Sequence, residues 1–269
     1  MSKTVDNSSN RTSYTQNKVP LISVITITYN AAGVITPTLE SLNNQTFRDF
    51  EHLVIDGASK DRTLQVIDRL STSSIVYSEP DNGLYDAMNK GLARAQGRYM
   101  LFLNAGDSLH DADVLGKYAR AISQHYAQHG VDPDIVYGDT VIVNGLRQVQ
   151  GMRHLRVPDR LTFRSFANGM LVCHQAFMVR LDIAPEYDLH YHFSADYEWT
   201  LRCLRSADPR HNVNLHAVVI DYLSDGITDK NHKASLRERF NIMCRYYGTV
   251  PTILRHIGFL FRALHRKFQ

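Results

Sequence analysis

Three acidic positions in this 269-residue chain have the surroundings to do chemistry. Asp56, followed by Gly57 at the end of an apolar run, is placed to accept hydrogen bonds from a base or a ribose, as acidic residues do in nucleotide-binding sheets. The turn Asn104-Ala-Gly-Asp107 offers a carboxylate with little steric cover, suited to a hard divalent cation that bridges phosphates. Asp196 falls in the first turn of an expected helix, where the dipole favours its ionised form. A carboxylate held ionised beside a hydroxyl can act as a general base. Each position also has a plainer reading. Asp56-Gly57 is a common strand-ending turn, Asp107 can be a turn residue, and Asp196 a structural helix-start carboxylate with Glu198 as an alternative base. Asp81 and Asp86 read as caps for the helix at Leu84, and His174, inside an apolar run, as a core histidine. His190 and His192 read as strand or loop residues without a metal.

The elements that would carry these groups follow from periodicity. Leu21 to Thr28 is a β-branched run that predicts a strand buried on both faces and ending at Tyr29-Asn30. A helix follows, with Thr36 as N-cap and Pro37 at its first position. Glu51 to Asp56 reads as a second strand, with a helix from Ser59 or Asp61. Ile75 to Tyr77 is a third strand, Leu84 to Ala95 a helix, and Arg98 to Leu103 a fourth strand. Alternation at this spacing predicts an α/β fold with a mostly parallel sheet. In such sheets ligands bind beyond the carboxyl ends of the strands. Thr28-Tyr29-Asn30, Asp56-Gly57 and Asn104 to Asp107 would then share one rim. Further on, the pattern predicts a helix to about Gln128 and strand pieces at Ile135 to Val143 and near Gln148. Val172 to Val179 reads as a strand, Ala195 to Ser206 as a helix capped by Ser194, and Val213 to Tyr222 as the last strand. Helices are expected from about Ala234 to Tyr247 and from Pro251 onward.

Hydrophobic types at 43% and charged types at 21% exclude a largely disordered chain. No apolar run reaches the roughly 18 residues that a spanning helix needs, and the N-terminus does not read as a secretory signal. Cys173, Cys203 and Cys244 are far apart and odd in number, which points to a reducing compartment. A soluble, cytoplasmic protein is expected. Residues 1–18 are rich in Ser, Thr, Asn and Gln and read as a disordered lead. Between Arg245 and Gln269 there are five Arg or Lys and no acid; against a total of +3 this leaves about −2 for the rest. The body therefore does not look like a nucleic-acid surface. No Gly-x-x-x-x-Gly-Lys-Ser/Thr or Gly-x-Gly-x-x-Gly loop is present, nor a Gly-x-Ser-x-Gly elbow or a His-Glu-x-x-His helix.

Several motifs, in order from about Val19 to Asp229, resemble the family 2 glycosyltransferases of GT-A fold. They are Ile22-Ser-Val-Ile-Thr-Ile-Thr-Tyr-Asn30, Asp56-Gly-Ala-Ser-Lys-Asp-Arg-Thr63, Asp81-Asn-Gly-Leu-Tyr-Asp-Ala-Met-Asn-Lys-Gly91 and Leu103-Asn-Ala-Gly-Asp107. His174-Gln175 and Ser194-Ala-Asp196-Tyr-Glu-Trp resemble the family's acceptor-side segments. The Asn-Ala-Gly-Asp form is similar to that of bacterial exopolysaccharide and colanic-acid-type transferases. The resemblance implies an inverting transfer from a nucleotide-diphosphate sugar to a saccharide hydroxyl. Thr28, Tyr29 and Asn30 would line the nucleotide pocket, Asp56 would bond the base, and Asn89 and Asn104 would support the sugar nucleotide. Asp107 would hold Mn²⁺ or Mg²⁺, and Asp196 would deprotonate the acceptor. Relatives with acids where this chain has Asn104 and Gly106 would hold the metal more firmly.

The implied organisation is a GT-A catalytic domain at 19–247 and a basic amphipathic helix at 248–269. Ile253, Ile257, Leu260, Phe261, Leu264 and Phe268 keep helical spacing among Arg255, Arg262, Arg266 and Lys267. Such a helix suits an anionic membrane surface, here the cytoplasmic face of an inner membrane carrying a lipid-linked acceptor; packing on the body is the alternative. A turn at Ser224 to Thr228, with His232, is a candidate diphosphate contact. The competing functions are a catalytically silent sugar-nucleotide-binding module and a nucleotidyltransferase. The second would carry a basic Gly-rich loop after its first strand, where this chain has Tyr29-Asn-Ala-Ala-Gly33.

Overall fold

The strand Ile22–Thr28 (β1) is buried at every position, as a run of Ile, Val and Thr covered on both faces must be. Its neighbours Phe50–Asp56 (β2) and Tyr99–Phe102 (β4) pair with it in parallel, Thr28 opposite Asp56 and Ile25 opposite Phe102. Ser74–Ser78 (β3) continues beside β2, also in parallel. The computed structural model describes residues 19–224 and 232–267. The lead at 1–18 and most of the turn from Ser224 to Thr228 lie outside the described residues.

The crossovers run through Thr36–Asn43 (α1), Thr63–Leu70 (α2) and Leu84–Leu92 (α3). The short strand Ser108–Leu109 (β5) and the helix Val114–His129 (α4) lead into Ile135–Val143 (β6), Val149–Met152 (β7) and Phe177–Arg180 (β8). Ala195–Ser206 (α5), Asn212–Leu223 (β9), His232–Tyr247 (α6) and Thr249–Lys267 (α7) complete the chain. The described strands form one sheet in the order β3-β2-β1-β4-β8-β6-β9-β5, with β7 on β6. β8 runs antiparallel to β4 and β6, while β6 and β9 are parallel. The parallel half thus joins a mixed half through β4 and β8.

Local chemistry moves several boundaries from the positions that periodicity predicts. Thr36 is already helical and Ile35 holds the N-cap position, without a side-chain cap. α2 begins only at Thr63, because Ser59 and Asp61 spend their side chains on loop hydrogen bonds. The strand predicted at Val172 to Val179 starts at Phe177; His174–Ala176 is a short 3₁₀ turn that sends His174 and Gln175 inward to polar partners. Ser194 stands at the N-cap of α5 but does not cap it, its hydroxyl lying 3.1 Å from Ser235 Oγ on α6.

α7 lies against α6, with Thr252 buried and His256 edge-on to Phe240 at 5.0 Å. Val250, Ile253, Leu254 and Ile257 nonetheless remain exposed. Packing therefore uses one side of this helix and leaves an apolar stripe uncovered by the described residues. Side chains from Leu260 onward are outside the described part.

Gly97 shows how tightly β4 is brought to β1. A Cβ there would stand 2.5 Å from Ser23 N and 2.8 Å from Ile22 C, both backbone atoms that cannot swing away. Gly97→Ala should therefore cost about 1–3 kcal/mol, the usual range for overpacking. Urea denaturation of the two proteins would show it as a lower midpoint.

Candidate active site

The rim expected from the strand ends is present. Thr28, Asp56 and Asn104 stand at or just past the carboxyl ends of three adjoining parallel strands. Asp56 is fully buried, so its carboxylate has to be hydrogen-bonded within the protein. It accepts from Ser59 N at 2.9 Å, from Ser78 Oγ at 2.7 Å and from the Ser59 hydroxyl. Ser59 Oγ in turn accepts Asn30 N–H at 2.8 Å, and Asn30 Oδ1 accepts Lys60 N–H at 2.8 Å. Asn30 adopts φ +47° to make this exchange, a conformation Asn tolerates better than most residues. Ala31 N–H to Thr63 Oγ1 and Ala32 N–H to Asp61 Oδ2 add two more stitches. The loops after β1 and β2 are therefore one preassembled wall, with Tyr29 projecting exposed from it.

Two side-chain oxygens in this wall are buried without a partner among the described residues, Thr28 Oγ1 and Asn104 Oδ1. Most buried polar atoms in folded proteins are paired, and these two sit on neighbouring strands at the ligand-facing end. Asp107 lies just beyond. Its Oδ1 accepts Leu223 N–H at 2.9 Å and its Oδ2 accepts Gln175 Nε2–H at 2.8 Å. Thr38 fixes the turn from below, donating to Asp107 O at 2.6 Å and accepting Gly106 N–H at 3.0 Å. Arg147, at φ +62° in the β6–β7 hairpin, reaches across to donate to Gly106 O at 2.7 Å and also bonds Ser108 Oγ. Burial pushes the Asp107 carboxyl up to about 7, against the pull of its two donors and of Arg147. A nearby cation would favour the ionised form.

These residues fit a hard divalent cation as a minimal oxygen set. Asp107 keeps spare lone pairs beyond its two hydrogen bonds, and Asn104 Oδ1 is an unpartnered acceptor in the same turn. No cluster of three His, Cys, Asp or Glu able to hold a metal occurs among the described residues. Phosphate oxygens of a bound donor would have to complete such a site.

Asp196 begins α5 on the other side of the rim. Its Oδ1 accepts Tyr197 N–H at 2.8 Å and lies 3.4 Å from the Tyr85 hydroxyl, which donates to it. Oδ2 has no hydrogen bond among the described residues. Glu198 does not compete for the role of base: it is buried, held by Arg202 Nε at 2.9 Å and by the Tyr246 hydroxyl. Asp81 and Asp86 accept Gly83 N–H and Asn82 N–H at 2.9 Å, holding the start of α3. Asp81 Oδ2 also covers Gly57, standing 2.4 Å from where a Cβ would be.

Between the two carboxylates lies an aromatic layer. Tyr187 stacks on Trp199 at 5.1 Å and on Tyr85 at 5.5 Å, and His174 stacks on Phe102 at 5.1 Å. Asn89 locks this layer from α3, its Nδ2 donating to Tyr187 O at 3.0 Å and its Oδ1 accepting Tyr187 N–H at 2.6 Å. Asn89 thus reaches the site through Tyr187, with both functions of its amide engaged. Trp199 is completely buried and donates to Pro185 O at 2.6 Å, so it forms the floor of the site rather than an exposed stacking surface. Burial lowers His174 to about 4, and its ring is bonded to the Tyr187 hydroxyl. Tyr222 feels both Asp107 and Asp196, which add to burial in raising its phenol. His190 is exposed and pairs with Asp188 at 2.7 Å.

Thr38, Arg147 and Tyr222 had no functional signal in the linear sequence. Arg147 comes from a hairpin whose local residues say nothing of the turn it reaches at Gly106, 41 positions earlier.

The mixed sheet, its parallel half ending in this wall and carboxylate turn, has the GT-A architecture. The glycosyl transferase family 2 model matches residues 23–186, and the chain belongs to that family. A "PGL/p-HBAD biosynthesis glycosyltransferase" of Mycobacterium bovis is 36% identical over 224 residues, covering 78% of this chain and 82% of that protein. In structure, S. aureus TarS residues 1–349 superpose with a TM-score of 0.66 at 21% identity, over 88% of this chain and 72% of that one. A mannosyltransferase from Pyrobaculum calidifontis, solved with GDP-Man and Mn²⁺, gives 0.58 at 17% identity, over 89% and 71%.

The buried titrating groups set a pH dependence of stability. Burial also lowers His52 to about 4, from an ordinary value of 6.5. Between those values the unfolded chain takes up protons that the folded His52 and His174 refuse, so stability is lost as pH falls from about 6.5 to 4. Asp107, raised to about 7, acts oppositely: its contribution is present at low pH and lost as pH rises toward 7. Two histidines oppose one carboxyl, so the urea midpoint measured in EDTA should drop between pH 6.5 and 4.5. His52→Gln should flatten that profile.

Proposed function

We propose that this protein is an inverting glycosyltransferase. It moves a sugar from a nucleotide-diphosphate donor to a hydroxyl of a saccharide acceptor. The observation that carries this reading is the pair of unpartnered buried oxygens, Thr28 Oγ1 and Asn104 Oδ1, at the strand ends beside Asp107, together with Asp196, whose Oδ2 is free among the described residues. In this reading the wall of Thr28, Tyr29, Asn30 and Asp56 receives the nucleotide. Asn89 supports the sugar nucleotide through Tyr187, and Asn104 with Asp107 holds Mn²⁺ or Mg²⁺ together with the diphosphate. The bound cation supplies positive charge that stabilises the leaving diphosphate.

Asp196 accepts the proton of the acceptor hydroxyl as that oxygen attacks the anomeric carbon. The bond from that carbon to the diphosphate oxygen breaks in the same displacement, and configuration inverts. A single base suffices, unlike the two-carboxylate double displacement of retaining glycosidases. The Tyr85 hydroxyl, whose proton is retained because burial and Asp196 raise its phenol, steadies the Oδ1 side and leaves Oδ2 for the acceptor. His174, neutral through burial, adds no charge to the space between donor and base.

The acceptor is a lipid-linked glycan in exopolysaccharide, capsule or O-antigen assembly, and the protein works at the cytoplasmic face of the inner membrane. Support comes from α7: its exposed stripe of Val250, Ile253, Leu254 and Ile257 lies in a segment with no acid after Glu238. No helix among the described residues is long and apolar enough to cross a membrane, so contact would be along the surface.

A thermal-shift panel with UDP, GDP, CMP and dTDP, each with and without Mn²⁺, tests the donor site. TarS has been solved with UDP-GlcNAc, which makes UDP the first nucleotide to try. A nucleotide at 100 times its dissociation constant adds about 2.7 kcal/mol if only the folded state binds it. One nucleoside diphosphate should give a shift that grows with Mn²⁺, and Asp107→Asn should remove the Mn²⁺-dependent part. Asp196→Asn should keep the shift while losing about 10²–10⁴-fold in turnover. Retained turnover would remove Asp196 from the base role; a shift without turnover in the unaltered protein would favour the silent module, and absence of any shift would count against the donor site. For the membrane surface, truncation after Tyr247 should abolish co-sedimentation with anionic liposomes while sparing the nucleotide shift.

A further inference from the structure

Asp196 is weakly held by its own side-chain contacts. One is the N–H of the next residue and the other a 3.4 Å approach from Tyr85. Its position therefore depends on the backbone at the start of α5. Helix starts expose N–H groups that need acceptors, and Ser194, at the N-cap, supplies none from its side chain. The acceptor comes from another helix. Glu238 of α6 takes His192 N–H at 2.8 Å on Oε1, and Phe193 N–H at 2.8 Å and Ser194 N–H at 2.6 Å on Oε2. One carboxylate thus gathers three consecutive backbone donors, ending two residues before Asp196. Charge-assisted bonds of this kind are roughly twice as strong as neutral ones.

α6 holds α5 at further points on its first turn. Ser235 pairs with Ser194, the Arg239 guanidinium lies 5.4 Å from the Tyr197 ring centre, and Tyr246 bonds Glu198. These contacts surround Asp196 in sequence without touching its carboxylate. The family match ends at residue 186, so both helices lie beyond the matched segment.

We propose that Glu238 is a positioning residue for transfer: by gathering the N–H groups of residues 192–194 it sets where the Asp196 carboxylate stands. This rests on Asp196 being the base. The three donors use both oxygens of the carboxylate, one on Oε1 and two on Oε2. In Glu238→Gln the amide nitrogen would face a backbone N–H, and at least one donor would lose its acceptor. The start of α5 would shift, and small displacements of a reacting group cost up to about 10²-fold in rate.

The test is a double-mutant cycle of Glu238→Gln and Asp196→Asn. Turnover is read as nucleotide release from a mixture of UDP-, GDP-, CMP- and dTDP-sugars, alongside amide exchange at residues 192–194. Glu238→Gln should lower kcat about 10-fold, within the range for a misplaced group, leave the donor KM within about two-fold, and speed exchange at those three amides. In the Asp196→Asn background it should lower turnover by less than about two-fold, because coupled residues are not additive. Glu238→Asp, which keeps the charge but shortens the reach, should show the same kcat-only loss and guards against a folding defect in the first variant. Unchanged kcat, a proportionate rise in donor KM, or losses that multiply in the double variant would each overturn the proposal. If Asp196→Asn alone keeps its turnover, the base assignment falls with it, and the single variant shows this separately.

Discussion

The buried carboxylate of Asp107 is the junction on which the two halves of this molecule depend. It ends the turn after β4, in the parallel half, and its two oxygens take Leu223 N–H at the end of β9 and Gln175 Nε2–H before β8. Replacing it with an apolar side chain would leave both donors facing the interior, each costing about 1–3 kcal/mol. Thr38 and Arg147 then hold the turn's carbonyl groups, so helix, hairpin and both sheet halves meet within four residues of chain, Asn104 to Asp107. A group that carries this much structure is well fixed for binding, but it is also buried, which is why its carboxyl is raised.

The parallel half was legible in the sequence because its signals are local. β1 is a continuous apolar run, and polar residues mark where the apolar runs stop, so the rim of Thr28, Asp56 and Asn104 follows from pattern alone. The mixed half is less readable. β8 is four residues long and follows a 3₁₀ turn in which His174 and Gln175 point inward. An apolar run containing two inward polar residues gives the period of a longer strand. The caps failed for a related reason: Ser194 has the right residue type, yet Ser235, 41 positions away, takes its hydroxyl. Local propensity cannot weigh a partner that only the folded chain supplies.

The site shows the same division. Asp196, Asp107 and Asn89 were visible through motif and residue type, whereas the contacts that hold them come from distant segments: Tyr187 on Asn89, Arg147 on the turn of Asp107, Glu238 before α5. Asn89 and Tyr187 are 98 positions apart, and their two hydrogen bonds tie α3 to the aromatic layer that includes Trp199 of α5. The chain thus uses short, readable segments for chemistry and long-range polar contacts to set their relative positions. Burial of those contacts makes each one costly to leave half-made.

The hairpin between β6 and β7 has a practical consequence for anyone handling the protein. Leu146 at its tip is 79% exposed, the kind of loop position at which a fluorophore, an affinity tag or an inserted domain is usually placed. Its neighbour Arg147 is the strut to Gly106 and Ser108. A reporter attached there would sense, and disturb, the turn that carries Asp107. What looks from outside like a neutral attachment point is mechanically part of the interior.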